Sequence, residues 1–600
     1  MEITSPPMLD TRVYRAGLVV AALALVVLAF SLQNQPGGLS SSLAPEAFNG
    51  QNVYTTMNTI AARDPLRRPG SDGDKALATQ VAETFTQDGF GTSTDVFSGR
   101  TVDGTRTLEN VIGMRPGMKS GSVIIIASRD ALGSPAVASL SGTATLMELA
   151  RDLAGETLNR TVVLASTTGS QGTAGAIRLA STVAGPVDAV IVLGDLASSQ
   201  VRQPIVIPWS TQPEVAPPAL RNTLASALGA QASVGVTQTS LPGQFAHLAF
   251  PFTVSAQAPF GAAGIPAVEL SVSGELGPAD NAPITGPAQI TALGKSVLST
   301  ISALDGGPSV AAPSAYVLFD GKVVPGWAMA LFVLALLVPV AMTMVDGLAR
   351  ARRRGNVLWH SVALVLAAAI PFALVVAVAL VARFTGALPA VLPGPVAPGA
   401  VPLRGAGVVV LVVAGLVMVG SLAGVGVLAR RMRPPKRDTR PRAPARSTDG
   451  AVAALLLVLC VVTVAIWLQN PFAAALLIPA LHLWLWAINP DSRLPFPARL
   501  ALLALGLAPV ALVVVYYASA LGFGPVQAAW AAILLLAGHG ISLVAALEWS
   551  VVLGCLVTGA IVARKASREG KRVPVPVTVR GPITYAGPGS LGGTKSALRR

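Results

Sequence analysis

After Val324 the chain becomes a succession of long apolar runs, each approaching or exceeding the about 20 residues that carry a helix across a bilayer. They lie near Trp327–Val345, Leu358–Ala382, Gly405–Leu428, Ala451–Leu468, Phe472–Ile488 and Leu500–Leu521. A last region, Ala528–Ala563, is too long for one crossing and barely long enough for two. One further apolar block, Ala16–Leu32, stands near the start, and a mixed region rich in Gly, Ser and Thr separates it from the rest. With 52% hydrophobic and only 12% charged residues over 600 positions, the chain reads as a multi-pass membrane protein with one water-facing domain after its first span. The first block has basic residues before it, Arg12 and Arg15. Ser31-Leu32-Gln33-Asn34-Gln35 is a poor small-x-small cleavage site, so the block reads as an uncleaved anchor rather than a secretory signal.

A net charge of +14 could suggest nucleic acid, but its distribution excludes that partner. Lys and Arg gather in Arg350–Arg354, in Arg430–Arg446, at Arg493 and Arg499, and in Arg564–Arg572, each at the boundary of a span. The short connections Leu388–Val401, Gln469–Pro471 and Gly522–Val526 carry none. Basic residues are retained on the cytoplasmic side, so the pattern sets orientation. It places residues 1–15 inside, the anchor at 16–32, and a domain at 44–308 outside the cytoplasm of a cell whose plasma membrane holds the chain. A bundle follows at 325–563, and a Pro- and Gly-rich tail at 564–600, expected to be disordered, lies inside. Keeping that tail inside requires an odd number of crossings after Leu521. Eight spans result, the last region crossing once beside an interfacial or re-entrant segment, with nine as the alternative. The basic, proline-rich loop at Arg430–Arg446 reads as a solvated tether near anionic headgroups. The two cysteines, Cys460 and Cys555, both fall within spans, so no disulfide framework holds the outer domain.

Within 44–308, Val123–Ile126, Val162–Leu164 and Val190–Leu193 are short β-branched apolar runs, the pattern of strands buried on both faces. Helical patterns such as Gly142–Leu153 and Ala174–Val183 separate them. Strands alternating with helices predict an α/β fold with a mostly parallel sheet, helices on both faces, and a site at the carboxyl ends of the strands.

The stretch Ala127–Arg151, ASRDALGSPAVASLSGTATLMELAR, resembles a segment of the M28 family of zinc aminopeptidases, where A-H-x-D is followed by G-A-x-D-N-A-S-G and a helix ending L-E-L-A-R. Ala127, Asp130, Ala136, Ser141, Gly142 and Glu148-Leu149-Ala150-Arg151 keep that frame. Ile60–Ser71, Asn110-Val111-Ile112-Gly113 and Gly264-Ile265-Pro266-Ala267 resemble further family segments in the same order. The resemblance implies a two-zinc site with a glutamate base, and the letters that would form it are absent. Ser128 stands for the first ligand histidine, Ala138 for the bridging aspartate, and Gly169 and Ser170 for the paired glutamates. Gln257 falls in Ser255–Phe260, which replaces S-D-H-x-P-F, and the terminal histidine position falls near Glu275–Leu276, before Asp280. The same matching puts Asp130 on the aspartate that orients the lost histidine and Asp195 on an outer ligand. Two scattered carboxylates hold no zinc pair, so neither metal nor any other cofactor is expected.

Ser128, Asp130, Ser170, Asp195, Gln257 and Asp280 are therefore candidates for a cleft rather than a catalytic set. The structural reading of Asp130 and Asp195 is that they cap a helix or satisfy loop amides. Thr-Gly-Ser-Gln-Gly around Ser170 falls short of a nucleophile elbow, and His247 reads as a partly exposed loop residue. In the spans, His482, His539 and Glu548 are ionisable groups in apolar surroundings, functional candidates by default, whose structural reading is hydrogen bonding within the bundle.

The layout also resembles membrane-anchored M28 proteases and the Gaa1-type subunits of GPI transamidase, the latter in architecture only. Three functions follow. The first is a non-catalytic, M28-like membrane protein whose outer domain binds a peptide, a polypeptide terminus or a partner protein. The second is an active metallopeptidase with atypical ligands. The third is a transporter-like bundle with an accessory domain, which requires the intramembrane His and Glu residues to converge on one cavity.

Overall fold

The computed structural model describes residues 11–40, 47–203, 205–233, 235–236, 239–353, 358–388, 392, 394–397, 399–431, 449–492, 494–538 and 540–569. His539, Arg354, Arg493, most of the basic tether and the tail from 570 lie outside the described residues. The chain enters through α1 (Thr11–Phe30) and a two-residue strand, β1 (Gln33–Asn34). Val19, Leu23, Leu25 and Phe30 on α1 are exposed, which suits a helix surrounded by lipid.

The α/β domain then runs through α2 (Gly50–Arg63), α3 (Asp72–Gln87), β2 (Gly91–Thr101), β3 (Gly104–Arg115), β4 (Ser122–Ser128), α4 (Ser141–Asp152), β5 (Thr161–Thr167) and α5 (Ala174–Thr182). It continues with β6 (Val187–Leu193), β7 (Val206–Ile207), α6 (Pro218–Ala232), α7 (Leu241–Ala249), α8 (Ala258–Ala262), β8 (Ala267–Leu270) and α9 (Pro287–Gly306). Seven strands form one sheet in the order β2-β3-β5-β4-β6-β8-β7. The central β5, β4, β6 and β8 are parallel, while β2, β3 and β7 are antiparallel to their neighbours. The sheet is thus mixed rather than mostly parallel. Thr101 pairs with Gly104, so β2 and β3 are joined by a tight hairpin, and only a long crossover could make them parallel.

Successive side chains on a strand face opposite ways, and the two cores show it. Val123, Ile125 and Ala127 of β4 join a large cluster with Val53, Val81, Leu149, Leu224 and Val297 from α2, α3, α4, α6 and α9. Ile124 and Ile126 face a thinner cluster with Ala176 and Leu179 of α5 and Phe260 of α8. Gly142 starts α4 so close to the end of β6 that a Cβ there would lie 2.4 Å from the Leu193 carbonyl oxygen.

A hairpin of β9 (Tyr316–Phe319) and β10 (Lys322–Pro325) leads out of the domain. Asp320 and Gly321 at its turn have φ of 47° and 69°, the left-handed pair a two-residue hairpin needs. β10 also pairs with β1, Gln33 opposite Val323, so the two ends of the domain are joined. The helices that follow are α10 (Gly326–Arg353), α11 (Leu358–Phe384), α12 (Ala406–Arg431), α13 (Asp449–Gln469), α14 (Pro471–Ala475) and α15 (Ile478–Ile488). After them come α16 (Phe496–Gly506), α17 (Ala508–Ala520), α18 (Pro525–Ala537) and α19 (Leu543–Glu569).

Among the described residues, seven helical segments are long and apolar enough to cross a membrane, α14 and α15 together making one, and α16 with α17 would make an eighth. That pair is bent by 53°, where the sequence predicts one continuous span. Pro509 lacks the amide hydrogen that would bond one turn back, and its ring displaces the carbonyl there. Ala528–Ala563 divides into α18, too short to cross at about 1.5 Å per residue, and the long α19. Arg499 also has a local duty beyond charge topology. Its buried guanidinium donates to the carbonyls of Ala487 (2.7 Å), Asn489 (2.8 Å) and Ser492 (2.7 Å), closing the open end of α15.

Candidate functional site

The parallel strands end together, and a cleft of about 1160 Å³ lies over those ends. Ser128, Asp130, Ser170, Asp195 and Asp280 line it. Gln257 does not: it is fully buried and donates to the Trp209 carbonyl at 2.9 Å, so that cleft candidate is corrected to a core residue. It opens the short α8, whose Phe260 packs under the sheet and draws the preceding side chain inward.

Four of these cleft residues, Ser128, Asp130, Ser170 and Asp195, are held by protein partners. Ser128, the last residue of β4, sits with its Oγ 3.3 Å from Thr167 Oγ1 at the end of β5. Both oxygens of Asp130 accept from the Ser170 amide at 3.0 Å, and Ser170 Oγ donates to the same carboxylate at 2.8 Å. The Asp195 side chain accepts from the amides of Ala197 (2.9 Å) and Ser198 (3.0 Å) and from the hydroxyls of Ser141 and Ser273. Gly169, with φ of 78°, is in a conformation that favours glycine.

Beneath this layer is a fully buried ion pair that the sequence did not disclose: Arg129 Nε lies 2.8 Å from Asp74. Arg129 also donates to the carbonyls of Glu109 (2.7 Å) and Ser166 (3.0 Å), and Thr168 Oγ1 donates to Asp74 at 2.7 Å. The pair fixes α3 to the middle of β3 and the end of β5. Only the adjacency of Arg129 to Asp130 hinted at it, and nothing in the sequence pointed to Asp74.

Two more carboxylates, Glu269 and Glu275, line the cleft. Glu269 accepts from the Ala256 amide at 3.1 Å, and burial lifts its pKa to about 8. Burial also lifts Glu275 to about 8, opposed by a Thr253 hydrogen bond and helped by the nearby Glu269. Asp130 rises to about 6, first through burial and then through the charge of Asp74, against the bonds from Ser170. Glu269 escaped the sequence reading because one Glu in the strand Ala267-Val268-Glu269-Leu270 looks like an ordinary outward residue.

His247 is corrected as well: it is buried on α7, not a partly exposed loop residue. Ser240 caps that helix by accepting from Gly243, with Pro242 in its first turn, so the Ser-Leu-Pro-Gly stretch that reads as loop begins a helix. The imidazole stacks on Trp209, centroids 4.4 Å apart, and its Nε2 lies 3.4 Å from Glu275. Tyr516 and Tyr517 of α17 reach it with their hydroxyls at 3.3 Å. Burial drops its pKa to about 3, so the ring is neutral.

Of the intramembrane candidates, His539 lies outside the described residues, and His482 and Glu548 have separate partners. His482 holds Tyr14 Oη at 2.7 Å and the Leu336 carbonyl at 3.1 Å, joining α15 to α1 and α10. Glu548 accepts from Gln469 at 2.6 Å.

The zinc pair implied by the motif resemblance can be tested against this donor set, and it does not fit. Ala138 and Gly169 offer no side-chain donor, Ser170 is bound to Asp130, and Asp195 is saturated. Among the described residues no three His, Cys, Asp or Glu side chains are grouped to hold a metal.

No family model and no curated protein matches the chain. Solved structures similar to it include the glutaminyl cyclase of Porphyromonas gingivalis, at 17% identity over 43% of this chain and 98% of that one, with a TM-score of 0.36. The glutaminyl cyclase of an Acidobacteriales bacterium is similar at 19% identity over 46% of this chain and 99% of that one, TM-score 0.36. A leucine aminopeptidase precursor from Bacteroides thetaiotaomicron is similar at 13% identity over 45% of this chain and 98% of that one, TM-score 0.35.

Proposed function

We propose that the chain is a multi-pass membrane protein whose M28-like domain binds without hydrolysing, taking a peptide's amino terminus into the cleft. In this reading the domain lies outside the cytoplasm, the amino-terminal end and tail lie inside, and the plasma membrane holds the bundle. One observation carries it: the cleft lies over the strand ends, but Asp130 and Asp195, the two aspartates that the motif resemblance puts at the metal site, are spent on protein donors. At the positions where the motif resemblance implies the bridging aspartate and the paired glutamates, Ala138, Gly169 and Ser170 supply no carboxylate to grip a cation pair or take a proton from water.

The lining supports a cationic guest. Asp130, Asp195, Glu269, Glu275 and Asp280 face the cleft, with Arg202 the one Lys or Arg among its described lining. An amine entering would favour the ionised form of the buried carboxyls.

Metal analysis of the full chain purified in detergent, with aminopeptidase assays at added zinc, tests the reading. Folded protein with no bound zinc and no cleavage is expected. Stoichiometric zinc with cleavage would overturn it in favour of a metallopeptidase with atypical ligands.

A further inference from the structure

A second cavity adjoins the cleft. It measures about 340 Å³ and is walled by Phe252, Leu403, Phe523, Trp530, Leu534 and Leu535, with Gln527 the one polar side chain among the described residues of its lining. Gln527 is turned to its own helix start, accepting from Gly524 at 2.9 Å.

The two spaces share walls. Ala397 and Gly399, between α11 and α12, line both. At the turn from α17 to α18, Leu521 and Gly522 line the cleft and the next residue, Phe523, lines the apolar pocket. The shared segment is fixed to both bodies. Its Ala397 amide donates to Gln171 Oε1 of the domain at 2.9 Å, and its Val401 carbonyl accepts from Trp530 Nε1 of α18 at 3.0 Å. Leu392 rests on Gly172, where a Cβ would come within 2.9 Å of it.

One side of this composite space is rich in carboxylates, and the other is built by helices of the apolar bundle. A polar peptide laid across it would strip water from groups that find no partner at Trp530 or Leu534, a loss that apolar side chains avoid. A free fatty chain would leave the carboxylates unmatched, and an anionic headgroup would be repelled by them.

We propose that the cleft and the pocket form one two-part site for an apolar peptide with a free amino terminus. The amine sits among the carboxylates, and the following apolar side chains fill the pocket on the bundle. This rests on the reading of the cleft as a terminus-binding site and adds the class of sequence it selects.

The test uses the full chain in lipid nanodiscs and three peptides dye-labelled at the carboxyl end. These are Ala-Leu-Leu-Leu-Phe-Lys with a free amine, its amino-acetylated form, and a counterpart with Ser in place of Leu and Phe. The apolar free-amine peptide should bind best. Acetylation and the serine exchange should each weaken it by about tenfold or more. Ala531→Trp, and separately Ala531→Phe, each narrow the pocket and should bring the apolar peptide down to the serine peptide's affinity, with the melting midpoint as a check on folding.

If acetylation weakens binding but the serine peptide binds equally well, the two-part site is overturned while the terminus-binding cleft stands. If acetylation has no effect, both readings are overturned. Displacement of the apolar peptide's gain by oleic acid, with serine-peptide binding intact, would make the pocket a lipid site and also overturn the proposal.

Discussion

Asp130 and Ser170 meet in the cleft, and their contact is a structural one. Ser170→Ala removes the 2.8 Å hydroxyl donor from a buried carboxylate. The expected result is a loss of about 1–2 kcal/mol, read from denaturant or thermal melts of the full chain. The titrating groups around the cleft make stability depend on pH. Glu269 and Glu275, at about 8 against an ordinary 4.5, hold protons in the folded protein that the unfolded chain has released. Asp130 at about 6, and Asp152 at about 7 on α4, act in the same direction. Their contribution is present at low pH and is lost as pH rises through the folded values. His247, lowered to about 3 from 6.5, does the opposite, adding stability as pH climbs from about 3 to 6.5. Above pH 6.5 only the losses remain. The melting midpoint should fall from pH 6.5 toward 8 and then level off, and Glu269→Gln should make that fall shallower. An unchanged slope in the variant would count against Glu269 as a source. The groups facing Glu275 are His247, Glu269, Tyr516 and Tyr517, so its share is read against all four.

At the scale of elements, the backbone leaves little room at the start of α4. Gly142→Val would drive a side chain into the Leu193 carbonyl and should cost about 1–3 kcal/mol or more, seen as a lower melting midpoint. The β4, β5 and β6 strands were legible because each is an apolar run buried on both faces. β2, with the sequence GTSTDVFSGRT, and the two-residue β1 and β7 were not, since edge strands carry no such run. The helix α7 was hidden by its own opening: Pro242 and Gly243 read as a loop, yet proline in the first turn gives up no helical bond. Pro509 misled in the opposite sense, because a hydropathy window slides over a proline that bends the helix. In the cleft, the order of motif letters located Ser128, Asp130, Ser170, Asp195 and Asp280. The same order of letters passed through Glu275, whereas Glu269 and the Asp74–Arg129 pair depend on contacts between distant segments, which one sequence does not display.

Domain and bundle share a core, and this sets the behaviour of the whole molecule. Ile207, Trp209, Tyr316 and Leu318 from the domain side pack with Phe472 and Leu476 of the bundle. Asn470 works at both sides of that seam. Its side chain accepts from Phe472 and Ala473 at the start of α14 and donates to the carbonyls of Leu248 (2.8 Å) and Ala249 at the end of α7. Asn470→Ala should cost about 1 kcal/mol for the cap alone, and limited proteolysis of the variant should release domain fragments sooner. The proposed orientation is open to a direct measurement because both native cysteines are buried. In intact cells an impermeant maleimide should label Met118→Cys, on the exposed domain surface, and should reach Lys565→Cys only after lysis. The reverse pattern would invert the arrangement.

The pairing of β1 with β10 has a consequence for the order of events during synthesis. α1 leaves the ribosome before the α/β domain, yet the strand that completes its small sheet emerges only after that entire domain has been made. α1 is therefore made well before its permanent neighbour, and it must wait as a lone segment while everything between is assembled.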